Sequence, residues 1–158
     1  MLAQAMTMSD WTPPFKEGQG IAAIVSAWVI AQTLKIVTGV IREKRFNFRW
    51  VIMSGGMPSS HSAAVASLST VVGLYYGFGS ILFWMALVFS GIIMFDAAGV
   101  RRAVGRQASI LNKIVDEISH GEQVREIRLK ELLGHTPIEV LAGAFLGIAL
   151  ALIFCLGL

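Results

Sequence analysis

The sequence predicts an all-α polytopic membrane bundle of about four transmembrane helices, with a cytoplasmic amphipathic helical segment. Three observations carry that reading. Apolar residues make up 55% of the 158 and charged residues only 15%, against roughly a quarter charged in an average soluble domain. The charges leave long gaps: Gly18 to Leu34, Val51 to Phe95 and Val140 to Leu158 contain no Lys, Arg, Asp or Glu. A spanning helix needs about 20 mostly apolar residues, so the middle gap is long enough for two crossings.

The elements follow in order. Residues 1–19 form a polar N-terminal tail, and residues 20–158 a single membrane-embedded helical domain. The first 17 residues lack a basic leader ahead of an apolar stretch, which argues against a cleaved signal peptide. The first span runs from about Gly20 to Ile41. A basic segment, Arg42 to Arg49, follows, and then an irregular stretch from Val51 to Pro58 containing Gly55 and Gly56. The second span runs from near Ser59 to Tyr76. Gly77-Phe78-Gly79 is a tight turn, and the third span, Ser80 to Phe95, returns antiparallel and closes at Asp96.

Ala108 to His120 places Ile110, Leu111, Ile114, Val115 and Ile118 on one face, as in an amphipathic helix lying on the membrane or against the bundle. Glu122 to Leu133 reads as another helix, and Thr136-Pro137-Ile138-Glu139 opens the last span. Cys155 lies on an apolar helix and reads as a packing residue, with no disulfide partner in the chain.

Charge sets the orientation. Residues 42–49 carry four Lys or Arg and one acid; residues 99–134 carry seven and five; the turn at 77–80 carries none. Four crossings place both basic segments on one side, which the positive-inside rule makes cytoplasmic. The net charge of +3 is explained by this anchoring and by anionic headgroups, and nucleic acid is not an expected partner. Four short spans are compatible with a homodimer.

With that topology, the polar residues that spans need not carry converge at one face. Ionisable groups at membrane depth are costly and are usually functional. Pro58-Ser59-Ser60-His61 opens the second span. A helix N-terminus offers free N–H groups and a partial positive charge to a phosphate, the serines add hydroxyls, and Gly55 and Gly56 let the backbone approach a ligand. The plainer alternative, an N-cap serine, accounts for one serine and leaves His61 unexplained. Gln32, Lys35, Gly39 and Arg42 share a helix face; snorkelling is the alternative for the two cations. Asp96 ends the third span, and Arg101 and Arg102 could clamp a phosphate or anchor the cytoplasmic side.

His135 and Glu139 are four apart. Glu139 can accept from one ring nitrogen and leave the other as nucleophile or base. Thr136 to Glu139, with Pro137 at the first helical position, is equally a capping box. A metal site built from His61, His135 and Glu139 is a weaker alternative, because no close paired-ligand spacing supports it.

At these residues the chain resembles the type 2 phosphatidic acid phosphatase and vanadium haloperoxidase superfamily, in its divergent branch of small membrane proteins. Lys35 and Arg42 match the K-x6-R-P motif, with Glu43 in the proline position. Pro58-Ser59-Ser60-His61 matches P-S-G-H, with Ser60 for glycine. His135 and Glu139 match the end of S-R-x5-H-x3-D, with Glu for Asp; the Ser-Arg start is missing, and Leu129 stands at the arginine position between Arg128 and Lys130. Asp96 to Arg102, Gly105 to Ala108 and Glu131 to Pro137 look like signatures of the branch itself.

The resemblance implies a lipid phosphatase working at the cytoplasmic face on a lipid monophosphate or pyrophosphate. His135 would be the nucleophile, Glu139 its orienting partner and His61 the acid for the leaving group. Lys35, Arg42, Ser59, Ser60, Arg101 and Arg102 would hold phosphate oxygens, and Asp96, Gly55 and Gly56 would support the site. No metal or cofactor is implied, because fixed cations and donors supply the electrostatic stabilisation. The missing arginine and the Glu43 substitution favour an alternative, a non-catalytic phospholipid-headgroup binder or a membrane assembly or transport module.

Overall fold

The computed structural model describes residues 15–44, 56–118 and 134–158, with the backbone alone described at 42–43, 101–102 and 116–118. The Glu122–Leu133 helix expected from the sequence lies outside the described residues. The rest forms five helices: α1 Glu17–Glu43, α2 Ser60–Tyr76, α3 Ile81–Ala98, α4 Val100–Ile118 and α5 Pro137–Leu156.

Local sequence sets the boundaries. The Gln19 side chain accepts from the Lys16 N–H at 2.9 Å and opens α1 at Glu17, three residues before the expected start. Lys44, at φ 51°, ends it in the left-handed conformation. Gly77, at φ 86°, closes α2, and the Ser80 hydroxyl accepts from the Phe83 N–H at 3.2 Å to start α3. This is the expected tight turn. Helix α3 continues past Asp96 to Ala98, and α4 begins at Val100 rather than at Ala108, since Gly99 keeps a nearly helical backbone and bonds back to Phe95. Thr136 and Glu139 form the capping box of α5, with Pro137 in its first turn.

Three contacts fix the helix directions. The Ser59 N–H donates to the Glu139 carbonyl at 3.0 Å, so α2 and α5 start at the same end. The His135 N–H donates to the Ala97 carbonyl at 2.9 Å, so α3 ends where α5 begins. Gly20 at the start of α1 meets Val71 near the end of α2, so α1 and α3 run one way and α2 and α5 the other, as four consecutive crossings with an intervening helix require.

Helix α2 is the central element and packs on α1, α3 and α5. Lipid tails are as apolar as leucine, so helices in a membrane associate through close packing of small residues and interhelical hydrogen bonds. The sequence supplies both. Ala23, Ala27 and Ala31 of α1 are fully buried. On α5, Gly143, Gly147, Ala151 and Cys155 repeat every four residues and are all buried. A Cβ on Gly147 would overlap the Ala63 carbonyl, and one on Gly143 the Ser59 carbonyl. Ser90 of α3 donates to the Val65 carbonyl at 2.8 Å, and its oxygen lies 2.7 Å from the Ser69 hydroxyl.

The large apolar side chains point outward. Trp84, Met85, Val88, Phe89, Ile92 and Phe95 of α3 are all exposed, as are Leu141 and Phe145 of α5. This inside-out arrangement suits a bundle dissolved in hydrocarbon. Among the described residues, three helical stretches are long and apolar enough to cross a membrane: Glu17–Ile41, Ile81–Val115 and Pro137–Leu156. The 17-residue α2, about 26 Å long, is sheathed by α1, α3 and α5 and shares their depth. The chain is an integral membrane helical bundle.

Candidate functional site

The end of α1, the start of α2, the end of α3 and the start of α5 meet at one end of the bundle, where the sequence places its unusual polar residues. Lys35 is only 7% exposed. It does not snorkel to water, and its ammonium is attracted by the Glu139 carboxylate of α5. Gly56, at φ 92°, lays its backbone on the Lys35 stem; a Cβ there would come within 3.1 Å of Cγ. The positive φ favours glycine here, and a Cβ would press the Lys35 stem aside. Gly55 lies outside the described residues.

Ser59 is the N-cap of α2. Its Oγ accepts from the Ser62 N–H at 3.3 Å and from the Ser62 hydroxyl at 3.0 Å. Both bonds use lone pairs, so the Ser59 proton remains a donor. Ser59 and Ser60 are buried, while His61, one residue on, is exposed.

His135 is 3% exposed. Its Nδ1 lies 3.2 Å from Glu139 Oε2. The same carboxylate oxygen accepts from the Thr136 N–H at 3.0 Å, so the two roles foreseen for Glu139 coexist. Burial lowers the His135 pKa below its ordinary value; Glu139 opposes this through its hydrogen bond and its charge, Lys35 adds to it, and a backbone bond to Gly56 opposes it. The ring is therefore neutral at pH 7. A neutral imidazole has one proton to donate, and the Glu139 carboxylate and the Gly56 backbone compete for it.

The structure thus brings Lys35, Gly56, Ser59, His135 and Glu139 together, with Ser60 buried at the same helix start. Asp96 is half-buried beside Ala97, whose carbonyl holds the His135 backbone. The side chains of Arg42, Arg101 and Arg102 lie outside the described residues. Among the described residues, His61, His135 and Glu139 do not gather into a group that could hold a metal ion.

Two contributors escaped the sequence reading. The Ala97 carbonyl acts through backbone, which no side-chain pattern reveals. Thr38 reaches the Met57 carbonyl with its hydroxyl at 3.3 Å and ties the Gly56 segment to α1. Its spacing of three from Lys35 was the available signal.

The outward apolar surface and the polar cluster where the starts of α2 and α5 meet define a helical membrane protein with ionisable residues gathered at one end of its bundle. The chain matches the family model described as the Divergent PAP2 family over residues 17–150, and it belongs to that family. It is 42% identical over 140 residues to the uncharacterized membrane protein YuiD of Bacillus subtilis (strain 168), covering 82% of this chain and 89% of that protein. No solved structure matches the chain.

Proposed function

We propose that the protein hydrolyses a lipid phosphate or pyrophosphate through a phosphohistidine, at the cytoplasmic face of its membrane. The observation that carries this reading is the grouping of buried His135 and Lys35 with half-buried Glu139 beside the start of α2. An imidazole held by a carboxylate and a cation held at membrane depth have a clear chemical use in phosphoryl transfer.

In this reading the unprotonated nitrogen of neutral His135, once the Gly56 segment releases the ring, attacks phosphorus. The phosphorus–oxygen bond to the lipid alcohol breaks, and His61 gives its proton to the departing oxygen. Water then attacks the phosphohistidine, His61 takes a proton from that water, and inorganic phosphate leaves. Lys35, the Ser59 and Ser60 hydroxyls and the N–H groups at the start of α2 offset the charge on the phosphoryl oxygens. Arg42 and one or both of Arg101 and Arg102 add to that field.

The test is release of phosphate from a lipid monophosphate by purified protein with EDTA present. His135→Ala and His61→Ala should each abolish release while the protein stays folded. Survival of activity in both variants would exclude the mechanism. Sidedness is read separately: Phe78→Cys should label from outside, and Arg45→Cys and Glu122→Cys from the cytoplasm. Reversed labelling moves the site to the other face.

A second reading is a non-catalytic headgroup binder, and one observation favours it. His135 is covered, and the Gly56 backbone engages its ring, so attack on phosphorus requires that segment to release it. This reading expects saturable binding of anionic lipid without turnover, weakened by substitution of Arg101 and Arg102.

A further inference from the structure

Helix α4 presents three different faces. At 3.6 residues per turn, Val100, Val104, Leu111, Ile114 and Val115 fall on one stripe, with Ile110 at its edge. All six are exposed. One neutral polar residue, Gln107, interrupts the stripe. Along one flank lie Gly105, Ala108 and Asn112, which are buried. Along the other lie Arg106 and Lys113, which are exposed and stand two turns, about 10 Å, apart along the axis.

The stripe is not a face that the bundle covers. Among the described residues α4 packs on α3 and on no other helix, and the face buried within the chain is the one at Gly105, Ala108 and Asn112. Position and charge say where the stripe lies instead. Helix α3 has 18 residues, about 27 Å, close to the roughly 30 Å of a hydrocarbon core. It ends where the Ala97 carbonyl holds the His135 N–H at the start of α5, so α4 begins at the membrane face. The joint is hydrogen-bonded on both sides: the Gly99 N–H donates to Phe95 at 2.8 Å, and the Ala103 N–H donates to Gly99 at 2.9 Å. Residues 100–118 carry four basic and two acidic residues, too many for a second crossing.

We propose that α4 lies along the membrane face as a docking surface for anionic lipid. Its apolar stripe rests in the upper acyl region, and Arg106 and Lys113 meet the headgroup phosphates. Three features favour this partner. A helix with one apolar stripe and cations beside it is the kind that lies in the plane of the interface. The outer face of α3, with Ile92 and Phe95 exposed, brings lipid up to Val100, where the stripe starts. The two exposed cations flank the stripe at headgroup level, where anionic lipid attracts them, while the opposite flank is the one that packs within the protein.

The test reads lipid contact and its charge preference together. The full-length protein, with Cys155→Ala to remove the native thiol, carries a bimane on Ile114→Cys. It is placed in nanodiscs holding equal amounts of phosphatidylcholine and phosphatidylglycerol. Bromine near the top of the acyl chains is carried by one lipid or by the other, and bimane quenching is measured. Brominated phosphatidylglycerol should quench several-fold more than brominated phosphatidylcholine. Arg106→Gln with Lys113→Gln should bring the two lipids level, whereas Arg106→Lys with Lys113→Arg, which keeps both charges, should retain the preference. A bimane on Val88→Cys, on the outer face of α3, should be quenched by both lipids alike.

Absence of quenching at Ile114→Cys by either lipid would put α4 off the membrane and overturn the proposal. Equal quenching by the two lipids, or a preference that survives Arg106→Gln with Lys113→Gln, would overturn it as well. So would disulfide crosslinking of Ile114→Cys between two copies, which would make a second chain the partner. Phosphate release is not read, so the outcome stands apart from the hydrolase reading.

Discussion

Glu139 Oε2 stands 3.2 Å from His135 Nδ1 and accepts from the Thr136 N–H at 3.0 Å. One carboxylate oxygen thus closes a helix cap and holds an imidazole. The two duties can be separated, because glutamine serves as well as glutamate at this position of a capping box. Glu139→Gln should keep the helix start, lose most phosphate release, and lower the melting temperature only through the lost charge that faces buried Lys35. Glu139→Ala should lose release and about 1 kcal/mol of stability as well. Equal melting of the two variants would show that the cap contributes nothing.

The pH dependence of stability follows from the burial of His135. Its pKa in the folded protein lies below the ordinary 6.5, so the folded state binds the proton less readily than the unfolded chain. Its contribution is full above pH 6.5 and is lost as pH falls toward the folded-state value. The melting temperature of the wild type should drop between pH 7 and pH 5 more than that of His135→Gln, which has no proton to gain. Parallel curves would contradict the assignment.

The α2–α5 seam allows a paired comparison. Gly147 abuts the Ala63 carbonyl, whereas a Cβ on Gly91 of α3 meets nothing within 4 Å. Gly147→Val should cost about 1–3 kcal/mol through overpacking, and Gly91→Val should leave the seam untouched. Denaturant unfolding in detergent measures both.

Two buried serines give a second contrast. Ser90 bonds to Ser69 and to the Val65 carbonyl, while the Ser67 hydroxyl is buried with no hydrogen-bond partner among the described residues. Ser90→Ala should cost about 0.6 kcal/mol, the usual worth of an interhelical bond in a membrane, for each of the two bonds it removes. Ser67→Ala should be neutral or stabilising, since it removes an unsatisfied group.

Much of this architecture was legible in the residues. Charge gaps placed the spans, the Gly77–Gly79 turn located the hairpin, and the spacing of His135 and Glu139 announced both the hydrogen bond and the cap. The start of α4 was not legible, because Gly99 punctuates many chains and here keeps a nearly helical backbone. The enclosure of α2 was also hidden. Ser59 and Ser60 read as a phosphate-binding mouth, and no pattern showed that Ser62, Ser67 and Ser69 are small buried residues that let three neighbours close in. The burial of His135 depends on Gly56 and Ala97 arriving from distant segments, and local spacing carries no information about that.

The central claim is that His135 carries the phosphoryl group, and trapping that intermediate tests it most directly. Purified protein is mixed with a phosphate-labelled lipid monophosphate, quenched in base within a fraction of a turnover and digested, and the labelled peptide is sequenced. The expected result is an acid-labile phosphate on His135, absent from His135→Asn. Phosphate release with no label at His135 would contradict the account, as would lipid phosphate bound to folded protein and never hydrolysed.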